Sequence, residues 1–421
     1  MKIKRTVIAD IKKWLGREKI LILKGARQTG KTTILRHLQQ QLEKQGEVTA
    51  YYSIDMELAS PFFSNPKLLI KFINEQYAGK FLYLFLDEFQ YIDGAGLFLK
   101  VVFDAVKKYC QIIVSGSSSL EITKNSEFLT GRKIDFHINT LSFREFISYR
   151  SEYIFNHTFN IEDIAEINDF DLMYSVELRR CMLEYLSYGG YPEIVTTVAE
   201  PDKIFLLKEL LTTYIQKDVA GFLRVNNITG FNHLLRLLVA QTGNLVNKNE
   251  LASSLRLGHD TIVKYCDILS GTYLINFVTP FFKNIRKELS KMPKVYVADF
   301  GLINIFSATG HLNEYNLIPG SFIENFVFSE LIDHKSCDSL HYYRTVSKSE
   351  IDFIMLSDNI ITPIEVKFSG KIKSMPVAMK NFNKNYNDAI GKNIVITRNY
   401  TGYDIKQNCY FIPVYILPFL K

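Results

Sequence analysis

The sequence predicts an α/β chain: a parallel, doubly wound sheet in the first third, helices in the middle, and a second, smaller α/β domain at the end. Three observations predict it. Lys19–Leu23 (KILIL) is a short apolar run that leads directly into GARQTGKTT and an amphipathic helix. Six apolar residues from Phe81 end abruptly in Asp87 and Glu88. From Gly320 onward a helix is followed by strands at 340–344, 351–356 and 360–368, with charged residues at pointed positions. Four or five strands alternating with helices before residue 141 close most simply as a parallel sheet, with any ligand at the strands' C-terminal ends.

Lys19–Leu23 reads as a buried strand and the residues after Lys31 as a helix, with Ile34, Leu35, Leu38 and Leu42 on one face and a stop at Gly46. Between them lie Gly25, Ala26, Arg27, Gln28, Thr29, Gly30, Lys31, Thr32 and Thr33, at the G-x-x-x-x-G-K-T spacing. Glycines let backbone N–H groups curl around phosphates, and the helix N-terminus adds a favourable field. Lys31 is placed to reach the β- and γ-phosphates of ATP, and the Thr32 hydroxyl to ligate Mg²⁺. In FLYLFLDE, Asp87 is the expected Mg²⁺ partner, and Glu88 the residue that orients and polarises the attacking water. QIIVSGSSS (Gln111–Ser119) is a further strand; Ser117 at its polar end is the candidate γ-phosphate sensor, or else part of a plain Gly-Ser turn. Arg132 precedes a strand at 134–138, either as a surface residue or as an arginine acting on a neighbouring subunit's nucleotide.

GARQTGKTT, FLDEFQ, VSGSSS, TGR and LSFREF together resemble the prokaryotic, ASCE-type P-loop ATPases of the AAA superfamily that carry a C-terminal domain of unknown function. The resemblance continues through YLSYGGYPEIV, YIQKDV and KMPKVYVADFGL, so it covers nearly the whole chain. Thr140 stands before LSFREF where the family usually has proline. The resemblance implies ATP hydrolysis, a P-loop NTPase sheet at 1–141, and a helical lid over the nucleotide at 142–228. It also implies oligomers, a hexameric ring among them.

Within the acid-rich lid, Gly189–Pro192 is either a hinge or a helix–helix corner. A winged helix-turn-helix is expected at 229–290: a helix at 249–255, a turn at Gly258, and a second helix at 260–269 capped by Asp260. Ile262, Tyr265, Ile268 and Leu269 face its core; His259, Thr261 and Lys264 are exposed. Lys283, Arg286, Lys287, Lys291 and Lys294 form a candidate phosphate-contact strip. The module contacts DNA in one reading and protein in the other.

In the last domain, 291–421, Glu324 falls on the helix and Asp352 on the second strand. Glu365 and Lys367 are two apart on the third strand, hence on one face. Three carboxylates and a lysine can bind Mg²⁺ or Mn²⁺, activate water and stabilise a pentavalent phosphate. This order resembles the PD-(D/E)xK restriction-endonuclease-like fold, with Glu350 in support. The domain then either cleaves nucleic acid or keeps a silent site that binds a protein partner.

Bulk properties fit these readings. The chain has 421 residues, 47% hydrophobic and 22% charged, with net charge +6. A mild basic excess permits DNA as a partner without requiring it. Five scattered cysteines without a C-x-x-C pair argue against disulfides or zinc and fit a reducing cytoplasm. No secretory h-region opens the chain, and its apolar runs are far short of a membrane span. The leading expectation is an ATPase coupled to processing of branched or broken DNA; the rival is a regulatory ATPase switch.

Overall fold

A computed structural model describes the chain except residues 1–2, 58–59, 118–128, 153–154, 156, 217–218, 220–224, 283–290, 307–311, 333, 335–336, 369–371 and 387–388. The described chain divides into two compact units, one of residues 1–141, 191–193 and 267–274, the other of 142–190, 194–266 and 275–421.

The first unit is built on five strands: β1 (Ile20–Lys24), β2 (Val48–Ser53), β3 (Leu82–Asp87), β4 (Cys110–Gly116) and β5 (Lys133–His137), in the order β2-β3-β4-β1-β5. Every pairing is parallel. Side chains alternate between the faces of a strand, so each strand feeds two cores. Ile20, Ile22, Leu84, Leu86 and Ile112 pack beneath the helices Pro66–Gln76 and Ala95–Val106. Leu21, Leu23, Phe85 and Ile113 pack with Ile34, Leu35 and Leu38 of the helix Lys31–Lys44. The doubly wound sheet expected from the sequence is therefore present, with strand ends shifted by one to three residues. In register, Lys24 lies beside Gly116 and Leu86 beside Val114. That alignment carries Gly25, Asp87 and Ser117 to one edge.

In the second unit the helices Phe143–Arg150, Ile164–Tyr188 and Glu200–Thr213 come first. Ser142 and Glu145 cap the first reciprocally. At the corner after Ile164–Tyr188, Gly189 has φ +79°, and a Cβ there would meet Asp299 Oδ1 at 1.9 Å. Asp299 is buried, and its carboxylate accepts from the N–H groups of Gly190 and Gly301, both at 2.8 Å. A corner held this way favours the fixed helix–helix reading over the hinge.

Next come the helices Ile228–Ala240, Lys248–Leu255 and His259–Gly271, then the antiparallel pair β6 (Ile275–Val278) and β7 (Lys294–Val297). Ile262, Tyr265, Ile268 and Leu269 are buried, and His259 and Lys264 exposed. Two local expectations are corrected. The left-handed residue that ends Lys248–Leu255 is Arg256 (φ +53°), not Gly258, and the next helix begins at His259, so Asp260 lies inside its first turn.

The last sheet has six strands: β8 (Ser339–Arg344), β9 (Glu350–Ser357), β10 (Ile360–Lys367), β11 (Asn393–Thr397), β12 (Gly402–Asp404) and β13 (Cys409–Pro413), in the order β12-β13-β11-β10-β9-β8. β8–β9, β9–β10 and β12–β13 pair antiparallel, whereas β10–β11 and β11–β13 pair in parallel. The helix Val377–Tyr386 joins β10 to β11 and buries Met379 and Phe382. Sequence periodicity missed β12 and β13. Among the described residues no helix is long and apolar enough to cross a membrane.

Candidate functional site

The phosphate loop is shaped by two glycines for different reasons. Gly30 has φ +95°, a left-handed conformation in which a side chain is strained. Gly25 is needed for space: a Cβ would lie 2.1 Å from the Ile138 carbonyl oxygen. The Lys31 ammonium, on a buried side chain, donates to the carbonyls of Gly25 (2.9 Å) and Ala26 (2.7 Å). The Thr29 hydroxyl donates to Ala26 O at 3.0 Å, and Thr32 and Thr33 are exposed in the helix's first turn. Arg27 donates to the Tyr91 hydroxyl at 3.3 Å, and Gln28 is left-handed at φ +58°. Arg5, which the sequence did not single out, donates to Thr29 O and Asn139 O, both at 2.7 Å, and so braces the loop against the segment that follows β5. An exposed hydroxyl at a helix N-terminus and a lysine folded onto the loop's own carbonyls fit a nucleotide with Mg²⁺.

At the end of β3, Asp87 is 2% exposed. Its Oδ2 accepts the Tyr51 hydroxyl at 2.6 Å, and its Oδ1 accepts the Ser115 hydroxyl and the Glu88 N–H. Burial, then this bond to Asp87, pushes the Tyr51 phenol well above its usual range, so it stays a donor. Glu88 sits at φ +55°. A left-handed non-glycine residue costs about 1–2 kcal/mol, and such strain gathers at functional positions. The turn redirects the chain so that Gln90, 4% exposed, faces back. Its amide nitrogen donates to the Glu88 carboxylate and to Ser117 Oγ (3.1 Å), and its amide oxygen accepts from Ser117 N at 3.3 Å. Gln90 thus ties the proposed water-activating carboxylate to the proposed phosphate sensor.

Arg132 lies elsewhere. It immediately precedes β5, its carbonyl accepts from Ile20 N, and its guanidinium holds Asp104 at 2.9 and 3.1 Å. That is the N-terminal edge of the sheet, opposite the phosphate loop, so no role on this chain's own nucleotide follows.

Of the C-terminal quartet, Glu324 and Asp352 gather with Glu350 around a lysine, and Glu365 pairs with Lys367. Lys294, on β7 and 3% exposed, places its ammonium 2.9 Å from Glu324 Oε1, 2.6 Å from Glu350 Oε1 and 3.9 Å from Asp352 Oδ1. Tyr296, two residues on and on the same strand face, donates to Glu324 Oε1 at 2.7 Å. Asp352 Oδ2 accepts from Val366 N at 2.8 Å, Lys367 pairs with Glu365, and Arg344 with Glu350 at 3.0 Å. Burial works to lower the Lys294 pKa, but Glu324, Asp352 and Glu350 outweigh it and hold the ammonium above its usual range. Burial raises the Glu324 and Asp352 carboxyls.

Two expectations change here. Lys294 is no phosphate contact, because it is buried, and of that strip Lys283, Arg286 and Lys287 lie outside the described residues. The second metal expected on Glu324, Asp352 and Glu365 is not supported: the Lys294 ammonium lies beside Glu324 and Asp352, and among the described residues no group of His, Cys, Asp or Glu is arranged to hold a metal. The five cysteines are free, and none adds a ligand.

Glu365 yields a test. Burial, then Asp352, pushes its carboxyl from 4.5 to about 7. A carboxyl that binds its proton more tightly when folded stabilises the fold at low pH and loses that contribution as pH rises from about 4.5 to about 7. Glu365→Gln keeps the neutral form at every pH. We expect it to raise stability at pH 8 by on the order of 1–3 kcal/mol and to leave pH 4 unchanged, as read by calorimetric unfolding at both.

Residues 17–147 match the AAA_14 family, an AAA domain. Residues 179–312 match DUF8612 and residues 319–417 match DUF4143, both domains of unknown function. An uncharacterized protein of Methanocaldococcus jannaschii is 26% identical over 66% of this chain and 59% of its own length, so the chain spans about three fifths of that relative. An uncharacterized protein of Haemophilus influenzae is 24% identical over 83% of this chain and 82% of its own. Domain III of the Thermotoga maritima replication initiation protein DnaA is 19% identical, covering 48% of this chain and 89% of that one with a TM-score of 0.29, an overlap too slight to bear on fold or function. In its family match, its parallel five-strand sheet and its phosphate loop, the first third of the chain is similar to an AAA-type P-loop domain.

Proposed function

We propose that the chain is an ATPase that hydrolyses ATP with Mg²⁺ at the edge formed by Gly25–Thr33, Asp87, Glu88 and Ser117. The single observation that carries this is the linkage of Glu88 through Gln90 to Ser117 beside a phosphate loop, because a pure nucleotide switch needs no positioned base. When bound, Mg²⁺ offsets charge on the phosphates; Thr32 and Asp87 are its ligands in this reading. Lys31 leaves the loop carbonyls for the phosphate oxygens. Glu88 accepts a hydrogen bond from the attacking water, and Gln90 fixes the carboxylate's direction. Ser117 donates toward the γ-phosphate. Arg132 belongs to this reading only in trans, in an oligomer such as a hexameric ring.

What the turnover drives has two readings. Exposed His259 and Lys264 at the start of a helix suit DNA in the major groove. The lysine-centred carboxylates instead favour a regulatory ATPase whose last domain is a non-cleaving recognition module, and this second reading is the stronger for the C-terminal third. The test is the ATPase rate of the full chain at low salt with duplex, single-stranded and four-way DNA. Stimulation by one DNA form supports coupling to DNA. An unchanged rate with no binding to any form removes DNA as the partner, since phosphate contacts are strongest at low salt.

A further inference from the structure

We propose that Lys294 is the resident cation of the C-terminal carboxylate cluster, standing where a catalytic metal would have to stand, so that the domain is built to work without one. Glu324 comes from a helix, and Glu350 and Asp352 from β9; all turn toward one ammonium. Mg²⁺ requires oxygens at about 2.0–2.1 Å in a near-octahedral set. An ammonium nitrogen among the same oxygens leaves no room for that set.

Lys294 is held there by its backbone, which separates it from a surface lysine that has swung inward. Buried Asn325 accepts from Val297 N at 2.8 Å and donates to Val297 O at 3.0 Å. Val295 accepts from Gly243 N at 2.8 Å and donates to Asn244 O at 3.1 Å. These bonds fix β7 immediately after Lys294, and Val246 N donating to Pro293 O at 2.8 Å fixes the chain immediately before it. Glu324 and Asn325 are neighbours on one helix, so the segment that supplies a carboxylate also pins the strand that supplies the cation.

The charges agree. The four carboxylates of Glu324, Glu350, Asp352 and Glu365 are paired with Lys294, Lys367 and Arg344. At most one negative charge is left over, and a divalent ion added to this set would overshoot. Metal-dependent phosphodiester cleavage has no place to start, whereas a fixed surface around a neutralised pocket remains.

The test is Mn²⁺ binding to the nucleotide-free full-length protein, followed by electron paramagnetic resonance and by Mn²⁺-dependent shifts in melting temperature. Four proteins are compared: wild type, Lys294→Ala, Lys294→Ala/Glu350→Gln, and Lys294→Ala/Glu350→Gln/Asp352→Asn. The Glu350 change removes the carboxylate outside the expected metal trio and restores the charge balance if Lys294→Ala alone folds poorly. We expect no Asp352-dependent Mn²⁺ site in wild type. One site should be gained, with a raised melting temperature in Mn²⁺, when Lys294 is removed, and lost again with Asp352→Asn. Asp352-dependent Mn²⁺ binding by wild type overturns the proposal. So does a folded Lys294 variant that gains no site. Variants that stay unfolded with and without Mn²⁺ also count against it, because an ion filling the vacated position has to recover what the ammonium supplied.

Discussion

Lys31→Ala is expected to lower the ATP hydrolysis rate by roughly two to three orders of magnitude, the usual loss when one preorganised charge at a reacting centre is removed. The substitution acts on chemistry and on binding together, because the ammonium is the loop's own countercharge to the phosphates. The fold should survive it. In the structure the buried ammonium donates to two backbone carbonyls, Gly25 O and Ala26 O, and Ala26 O keeps the Thr29 hydroxyl once it is gone. The loop's shape rests on other contacts: the left-handed Gly30, the Thr29 hydroxyl on Ala26 O, and the Arg5 brace. A steady-state phosphate-release assay beside a thermal melt separates the two effects. Wild-type turnover by Lys31→Ala would place the nucleotide site elsewhere.

The first third of the fold was legible because its signals are local. A buried parallel strand must be apolar on both faces, and KILIL and FLYLFL are. A glycine-rich turn between such a strand and an amphipathic helix leaves little choice of geometry. What was illegible depended on residues brought together by the fold. Gln90 carries no signal of its own in FLDEFQ; only the left-handed Glu88 turns it back toward Ser117. Gly25 was read as a glycine that frees backbone N–H groups, whereas its sharpest requirement is the Ile138 carbonyl, more than a hundred residues away. Arg5 carries no motif at all.

Lys294 was misread for the opposite reason. It ends a run of five basic residues between 283 and 294, and in a sequence such a run looks like a solvated face. A clue was available in KVYV, where valines flank a tyrosine two residues after the lysine, as in a strand whose lysine and tyrosine share a face. Sequence order pointed to Glu324, Asp352, Glu365 and Lys367; in the structure Glu324 and Asp352 face Lys294, and Glu365 lies beside Asp352 N and Lys367. Sequence order could not tell that a cation from β7 was already beside Glu324 and Asp352, because Lys294, though within 291–421, lies well before the helix-and-strand pattern that starts at Gly320. The cluster is also a poor source of net stability. Buried ion pairs repay their desolvation only with good geometry, though breaking one costs about 3–5 kcal/mol, so this set is better understood as fixing position than as strengthening the fold.

Glu88→Gln should divide binding from turnover where Lys31→Ala removes both. Glutamine has nearly the same shape, and its side-chain oxygen can still accept from the Gln90 amide nitrogen, so the Glu88–Gln90–Ser117 link and the left-handed turn at residue 88 are kept. What is lost is the negative charge that polarises water. ATP affinity should therefore stay within severalfold of wild type, while single-turnover hydrolysis falls by roughly two to three orders of magnitude. Gln90→Leu gives the contrasting case: the charge remains but the carboxylate loses its fixed direction, so a smaller fall is expected, about tenfold to a hundredfold, again with ATP bound. The ordering is what matters. If Gln90→Leu cost more than Glu88→Gln, the amide would be acting on the nucleotide directly and the carboxylate would not be the base. If Glu88→Gln hydrolysed ATP at the wild-type rate, the strained turn at residue 88 would need another explanation, and the site would bind nucleotide as a switch.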